Sequence, residues 1–270
     1  MVSRVARRVV VAVLLACVRA PAGAAITLDV TLSPEVRADG VHVVARVRNR
    51  GTDAANDVIP RLRFENAARN GPPEHMNPGD THDWPVDFPR PEHDGRYPLV
   101  ATVSYADNGY RGYSAVSAAL VDVGAVVPSG IRGTVAPLAV DVEGSLVITV
   151  QNDDPTPRKL TAGLLLPDEL GGWRDLGRVA ATPGHPATLS APVQVRGAVA
   201  GSAYGVQAVV RAVTGDVETA ALLPGTIRVL SATPLDWKQV VQRVAIGLAV
   251  LFVVTEVVLG VRALRRRHAA

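Results

Sequence analysis

Apolar and polar positions follow two different rules along this chain. Between residues 26 and 231 they alternate with a period of two, and near both termini they run unbroken. Ile26 to Leu32 (ITLDVTL) alternates, as do Val41 to Val47, Tyr97 to Tyr105 and Ser145 to Val150. That period puts one set of side chains on each face of an extended strand. The runs are short, dense in β-branched residues and bounded by turn residues. They predict strands over 26–32, 41–49, 57–65, 80–88, 96–106 and 110–123, then over 132–140, 144–151, 159–166, 187–195, 203–213 and 217–229. Asp107-Asn108-Gly109 predicts a hairpin with Asn-Gly in a type I′ turn. Thr214-Gly215-Asp216 holds the same place in the second set. Asn66 to Asp80, polar and rich in Pro and Gly, predicts a long loop.

The second set repeats the first. Val47-Arg48-Asn49 is answered by Val150-Gln151-Asn152, Pro78-Gly79 by Pro183-Gly184, and Gly95-x-Tyr97 by Gly201-x-x-Tyr204, at offsets of 103, 105 and 107 residues. Copies of about 100 residues have the size of a domain. The expected fold is therefore all-β, with two tandem antiparallel β-sandwiches over 26–126 and 131–231 and a hinge at 127–130.

Particular runs in the first copy carry a family resemblance. Val43-Val44-Ala45-Arg46-Val47-Arg48-Asn49-Arg50-Gly51-Thr52 resembles the strand-and-turn of CARDB-like and NEW-type bacterial sandwich domains. Asn77-Pro78-Gly79-Asp80 followed by Trp84-Pro85-Val86-Asp87-Phe88 resembles their Pro-Gly turn and next strand. Gly95-Arg96-Tyr97 through Val103-Ser104-Tyr105-Ala106-Asp107 resembles their closing hairpin. The likeness covers most of 41–123 and is thinner in the second copy, where Asp153-Asp154 replaces the Asn-x-Gly turn. It implies immunoglobulin-like modules that act outside the cytoplasm in adhesion, as spacers or beside catalytic domains.

The unbroken runs predict a location. Val244 to Val261 is 18 residues long with one charge, Glu256. At ~1.5 Å per residue, a helix there spans ~27 Å, close to the hydrocarbon thickness of a bilayer. Arg262, Arg265, Arg266 and Arg267 follow it, which places the 262–270 tail in the cytoplasm. Residues 232–243, with Trp237 and Lys238 as interface anchors, form a juxtamembrane tether. At the other end, Arg4, Arg7 and Arg8 precede the apolar run Val9 to Val18 and the small residues Ala22-Gly23-Ala24. That order describes a signal peptide over 1–25. Leu14-Leu15-Ala16-Cys17 also resembles a lipobox, so Cys17 is either lipidated or removed with the leader. The expectation is a single-pass protein of the cytoplasmic membrane, with both sandwiches exported.

Charge and cysteine usage then narrow the function. The net charge of +3 belongs to the ends, since residues 26–237 hold 18 basic and 24 acidic groups. Nucleic-acid binding loses its electrostatic support. Cys17 is the single cysteine, so removal of the leader leaves no thiol for disulfides, catalysis or zinc.

The richest polar stretch, Pro73 to Gly95, holds His75, His82 and His93 with Glu74, Asp80, Asp83, Glu92 and Asp94, donors that suit a divalent ion if their loops converge. Trp84, Tyr97, Tyr105, Tyr110 and Tyr113 are candidates for an aromatic ligand platform, against a plain reading as a hairpin packed by cross-strand pairs. Glu256 sits at membrane depth, where ionisable groups face protein partners or snorkel to the interface. No Gly-x-Ser-x-Gly, Walker or Gly-x-Gly-x-x-Gly motif is present. The expectation is a non-enzymatic binding, scaffold or assembly module without a cofactor, partnered by an envelope or membrane protein. A glycan-binding module or an accessory subunit of an envelope enzyme is the alternative.

Overall fold

A computed structural model describes residues 26–125 and 128–231. The expected leader, tether, membrane span and tail lie outside the described residues, as do Cys17, Val127 and Glu256. Among the described residues, no helix is long and apolar enough to cross a membrane.

The fold is all-β, and its antiparallel sheets are arranged as sandwiches. The first copy contains β1 (Leu28–Val36), β2 (Gly40–Asn49), β3 (Ala55–Phe64), β4 (Ala67–Asn70), β5 (Glu74–Met76), β6 (Thr81–Pro89), β7 (Gly95–Ala106) and β8 (Gly112–Val123). The second contains β9 (Ile131–Val135), β10 (Leu138–Val140), β11 (Glu143–Asn152), β12 (Arg158–Leu165), a 3-10 turn at Asp168–Leu170, β13 (Trp173–Ala181), β14 (Ala187–Gln194), β15 (Ala203–Thr214) and β16 (Val217–Val229). In each copy a three-stranded sheet, β1-β2-β6 or β9-β11-β14, covers one core. The opposite layer is β8-β7-β3-β4 in the first copy and β16-β15-β12-β13 in the second. One parallel ladder pair, Glu218 with Gly95, joins these two layers into a single sheet.

The period-two pattern accounts for the layers. On β2 the side chains of Val41, Val43, Ala45 and Val47 are buried, while Arg46 and Arg48 face water. Each buried Val contributes on the order of 1.5–3 kcal/mol relative to exposure. A one-residue slip would put the arginines inside, so the pattern fixes the register. Outside, the Arg46 guanidinium grips Asp83 with two hydrogen bonds of 2.7 Å, and Arg50 meets Asp29 at 2.6 Å.

Three expectations are corrected. The 66–80 segment is not one long loop, because it forms β4 and β5 on the edge of β3. Both are too short and too exposed for alternation to register. The expected 132–140 strand breaks at Ala136-Pro137, so that β9 pairs with β11 while β10 crosses to pair in parallel with β16. Pro137 has no N–H to continue the first ladder. The turn at Asp107-Asn108-Gly109 is not type I′. Neither Asn108 nor Gly109 has a positive φ, and Tyr110 does, at +59°. The Tyr110 N–H donates to the Asp107 carbonyl, and the Asp107 carboxylate accepts from the N–H groups of Gly109 and Arg111. This is a three-residue loop closed by a residue in the left-handed region.

The repeated motifs have a shared physical role. Asn49 and Asn152 are both buried, and each ties three backbone groups together. The Asn49 amide donates to the carbonyls of Asp53 (2.8 Å) and Met76 (3.1 Å) and accepts from the Gly51 N–H. The Asn152 amide donates to Thr156 (2.8 Å) and Ala181 (3.0 Å) and accepts from the Asp154 N–H. The Pro-Gly turns return to the same asparagines: the Gly79 N–H donates to the Asn49 carbonyl, and Pro183 bridges Asn152. The tyrosines close the corner before β7 and β15. The Tyr97 hydroxyl donates to the His93 carbonyl, and that of Tyr204 accepts from the Val199 N–H.

Candidate functional site

The described residues through Val229 form one compact unit, and the outer faces of its two four-stranded layers meet. Leu165, Val209 and Ala220 show this directly. All three are buried, yet none belongs to either sandwich core. They alternate with core residues on β12, β15 and β16, so they point away from their own core and toward the first copy.

Two polar clusters clamp the meeting faces. Glu169, 5% exposed, accepts from the N–H (3.0 Å) and the hydroxyl (3.1 Å) of Ser114 on β8. The Asp168 N–H donates to the same Ser114 oxygen at 2.7 Å. Glu169 Oε1 is buried with no hydrogen-bond partner. Burial pushes the Glu169 carboxyl above the usual carboxylate range, against the pull of the Ser114 hydrogen bonds. In the second cluster the Arg211 guanidinium donates to Glu65 at 2.9 Å and to both carboxylate oxygens of Glu218. Burial pushes the Glu65 carboxyl up, while the Arg211 charge pulls it back. Beside the second cluster the backbones touch at Gly95. A Cβ there would lie 2.5 Å from the Glu218 carbonyl oxygen, so no other residue admits the pairing of β7 with β16.

Where the faces diverge, a cleft opens along β3. It consists of two adjoining cavities, about 280 Å³ and about 240 Å³, which share Arg63, Val100 and Trp173. The first-copy wall carries Arg61 and Arg63, outward on β3, with Thr102 and Val100 of β7 beside them. The second-copy wall carries Leu165, Asp168, Trp173 and Asp175. From Ile59 to Glu65 the cleft runs roughly 20 Å at the rise of a strand. Trp173 is 42% exposed, and its ring lies on Gly163, where a Cβ would meet a ring carbon at 2.3 Å. Among the described residues, neither the Arg61 nor the Arg63 side chain has a hydrogen-bond or ion-pair partner, unlike Arg46 and Arg50.

The residues singled out from sequence do not assemble into a site. His75 holds the side-chain oxygens of Asn56 (2.8 Å) and Asn77 (3.3 Å) with its two ring nitrogens. His82 packs on Trp84 at 4.2 Å between ring centroids, with Nε2 3.9 Å from Glu74. His93 lies beyond the far end of β6, a nine-residue strand of roughly 30 Å. Among the described residues, no three His, Cys, Asp or Glu side chains gather to hold a metal ion. The aromatic candidates are also dispersed over the fold. Trp84 is buried, with its Nε1–H donated to the Pro72 carbonyl, and Tyr97 is buried against Phe64. Tyr105 and Tyr113 are a directly opposed cross-strand pair 5.8 Å apart, and burial pushes the Tyr105 phenol upward. Tyr110 alone is exposed, at the hairpin tip.

Trp173, Arg61, Arg63, Glu169 and Arg211 are absent from the sequence-based candidates. A signal for the docked face was nonetheless present. Leu164-Leu165-Leu166 and Val209-Val210 break the alternation with consecutive apolar residues, which marks strands buried on both faces.

No family model matches the chain, and no curated protein sequence does. Solved structures align over about three quarters of the chain at low similarity. Red sea bream transglutaminase is 13% identical, with a TM-score of 0.27 over 74% of this chain and 31% of its own. A Salmonella alpha-2-macroglobulin mutant is 16% identical, with a TM-score of 0.32 over 76% of this chain and 16% of its own. The YadV chaperone is 12% identical, with a TM-score of 0.31 over 74% of this chain and 100% of its own. The chain thus spans less than a third of the length of the first two proteins.

Proposed function

We propose that this chain is a single-pass envelope protein whose two exported, immunoglobulin-like sandwiches form one non-enzymatic binding module, with the cleft at Trp173 as its binding surface. The strand order supports the immunoglobulin-like reading, with three strands facing four in each copy and a tyrosine at the corner before β7 and β15. The basic leader, the apolar run 244–261 and the arginines after it support an anchored, exported placement. The observation that carries the binding role is the pair of adjoining cavities meeting at an exposed tryptophan. Concave sites with an aromatic and a few polar groups are where ligands bind.

Photo-crosslinking in native membranes tests this. A benzoylphenylalanine at position 173 captures a defined partner or ligand, and Arg63→Ala weakens the capture. A control at Val142, exposed in the turn between β10 and β11 and lining neither cavity, captures none. Equal labelling from both positions would sink the proposal.

A further inference from the structure

Resting on the reading of the cleft as a binding surface, we infer that its ligand is an acidic oligosaccharide. Most of the lining is sheet face. The backbone groups of β3, β7 and β12 are consumed by their own ladders, and only β4 and β13, at the cleft's margins, are edge strands, so the interior of the cleft offers no main-chain edge to an extended peptide. Recognition therefore falls to side chains. Trp173, seated on Gly163 and 42% exposed, presents a flat apolar surface suited to the C–H face of a sugar ring.

The polar groups around it are divided by wall. Arg61 and Arg63 stand two residues apart on one face of β3, with no acceptor of their own among the described residues. A guanidinium is a two-pronged donor that fits a carboxylate. Asp168 and Asp175 face them from the second copy and supply acceptors for hydroxyl protons. A ligand with carboxylates toward one wall and hydroxyls toward the other satisfies both. A phosphate-rich polymer does not, because its charge would also face the two aspartates.

Isothermal titration calorimetry on the detergent-solubilised full chain tests the assignment. The probes are trimers of galacturonate, glucuronate and mannuronate, a neutral trisaccharide and hexaglutamate. At least one uronate trimer is expected to bind and to weaken as salt rises. Arg63→Ala is expected to lower its affinity by about tenfold or more, the loss typical of a hydrogen bond to a charged group. Trp173→Ala abolishes binding and Trp173→Phe retains it, with circular dichroism confirming that every variant folds. Binding of the neutral sugar or hexaglutamate at equal strength, or no binding by any uronate, overturns the assignment. If the uronates fail while position 173 still crosslinks, the binding surface stands and its ligand class falls. If both fail, both fall.

Discussion

The Ser114 hydroxyl accepts the Asp168 N–H and donates to the Glu169 carboxylate, so one side chain of the first copy holds two successive residues of the second. Glu169 gains two hydrogen bonds there but loses water around an oxygen with no replacement partner. An ionised group in that position costs stability.

The Glu169 carboxyl titrates higher folded than unfolded. Between the two values the folded state binds more protons, so this group's contribution to stability falls as pH rises through the window above the ordinary Glu value of about 4.3. Glu169→Gln removes the charge and keeps an acceptor for Ser114. Urea unfolding is expected to show Glu169→Gln as stable as the parent or more so at neutral pH. That difference should shrink as pH falls toward about 4.3. A difference that grows on acidification contradicts the direction.

Asn49 and Asn152 make the same three bonds in the two copies. Asn49→Ala and Asn152→Ala each leave buried backbone groups unpaired, and each should cost about 1–3 kcal/mol. Equal losses by denaturant unfolding would show that the repeat is one structural device used twice. A neutral result at either position would show that water replaces the amide.

The docked faces predict how the halves behave apart. Fragments 26–125 and 128–231 each contain a complete core, so each should fold, and each should be less stable than the joined chain because Leu165, Val209 and Ala220 become exposed. Val209→Asp in the intact chain should separate the faces while both cores persist. The check is small-angle scattering for the distance between halves, alongside circular dichroism for the folds.

Gly95→Val should act through the backbone. Its Cβ would meet the Glu218 carbonyl, which cannot swing aside as a flexible side chain can. Loss of the β7–β16 pairing and a cost of about 1–3 kcal/mol are expected. Hydrogen exchange at Glu218 and its neighbours reports whether the junction has opened.

For the membrane end, reporter fusions after Ser231 are expected to read exported and fusions after Ala270 cytoplasmic. Glu256→Ala should spare export and lose a membrane partner if the carboxylate pairs within the bilayer. Unchanged partner recovery would assign binding to the sandwiches alone.

Most strands were legible in the sequence because half-buried strands write their two faces as alternation. β2 and β7 are such strands, and their expected and observed bounds nearly coincide. β13 was not legible: its apolar residues are spread among charges, it lies at a sheet edge, and Gly177 takes a positive φ within it. The candidate site was hidden for a different reason. Arg61 and Trp173 lie more than a hundred residues apart, and local pattern cannot report that two faces meet. Conversely, the histidines near Pro73 looked convergent because they are close in sequence, yet β6 carries the chain away from His82 before it reaches His93.

The cleft has one wall from each copy, and this sets a rule for how the copies can change. Neither half can be exchanged, deleted or transplanted as a self-sufficient module without destroying the surface, although each half has a core of its own. Substitutions at Arg63 and at Trp173 alter the same two cavities. Two copies of one pattern thus contribute unequally, the first its arginines and the second its tryptophan and aspartates.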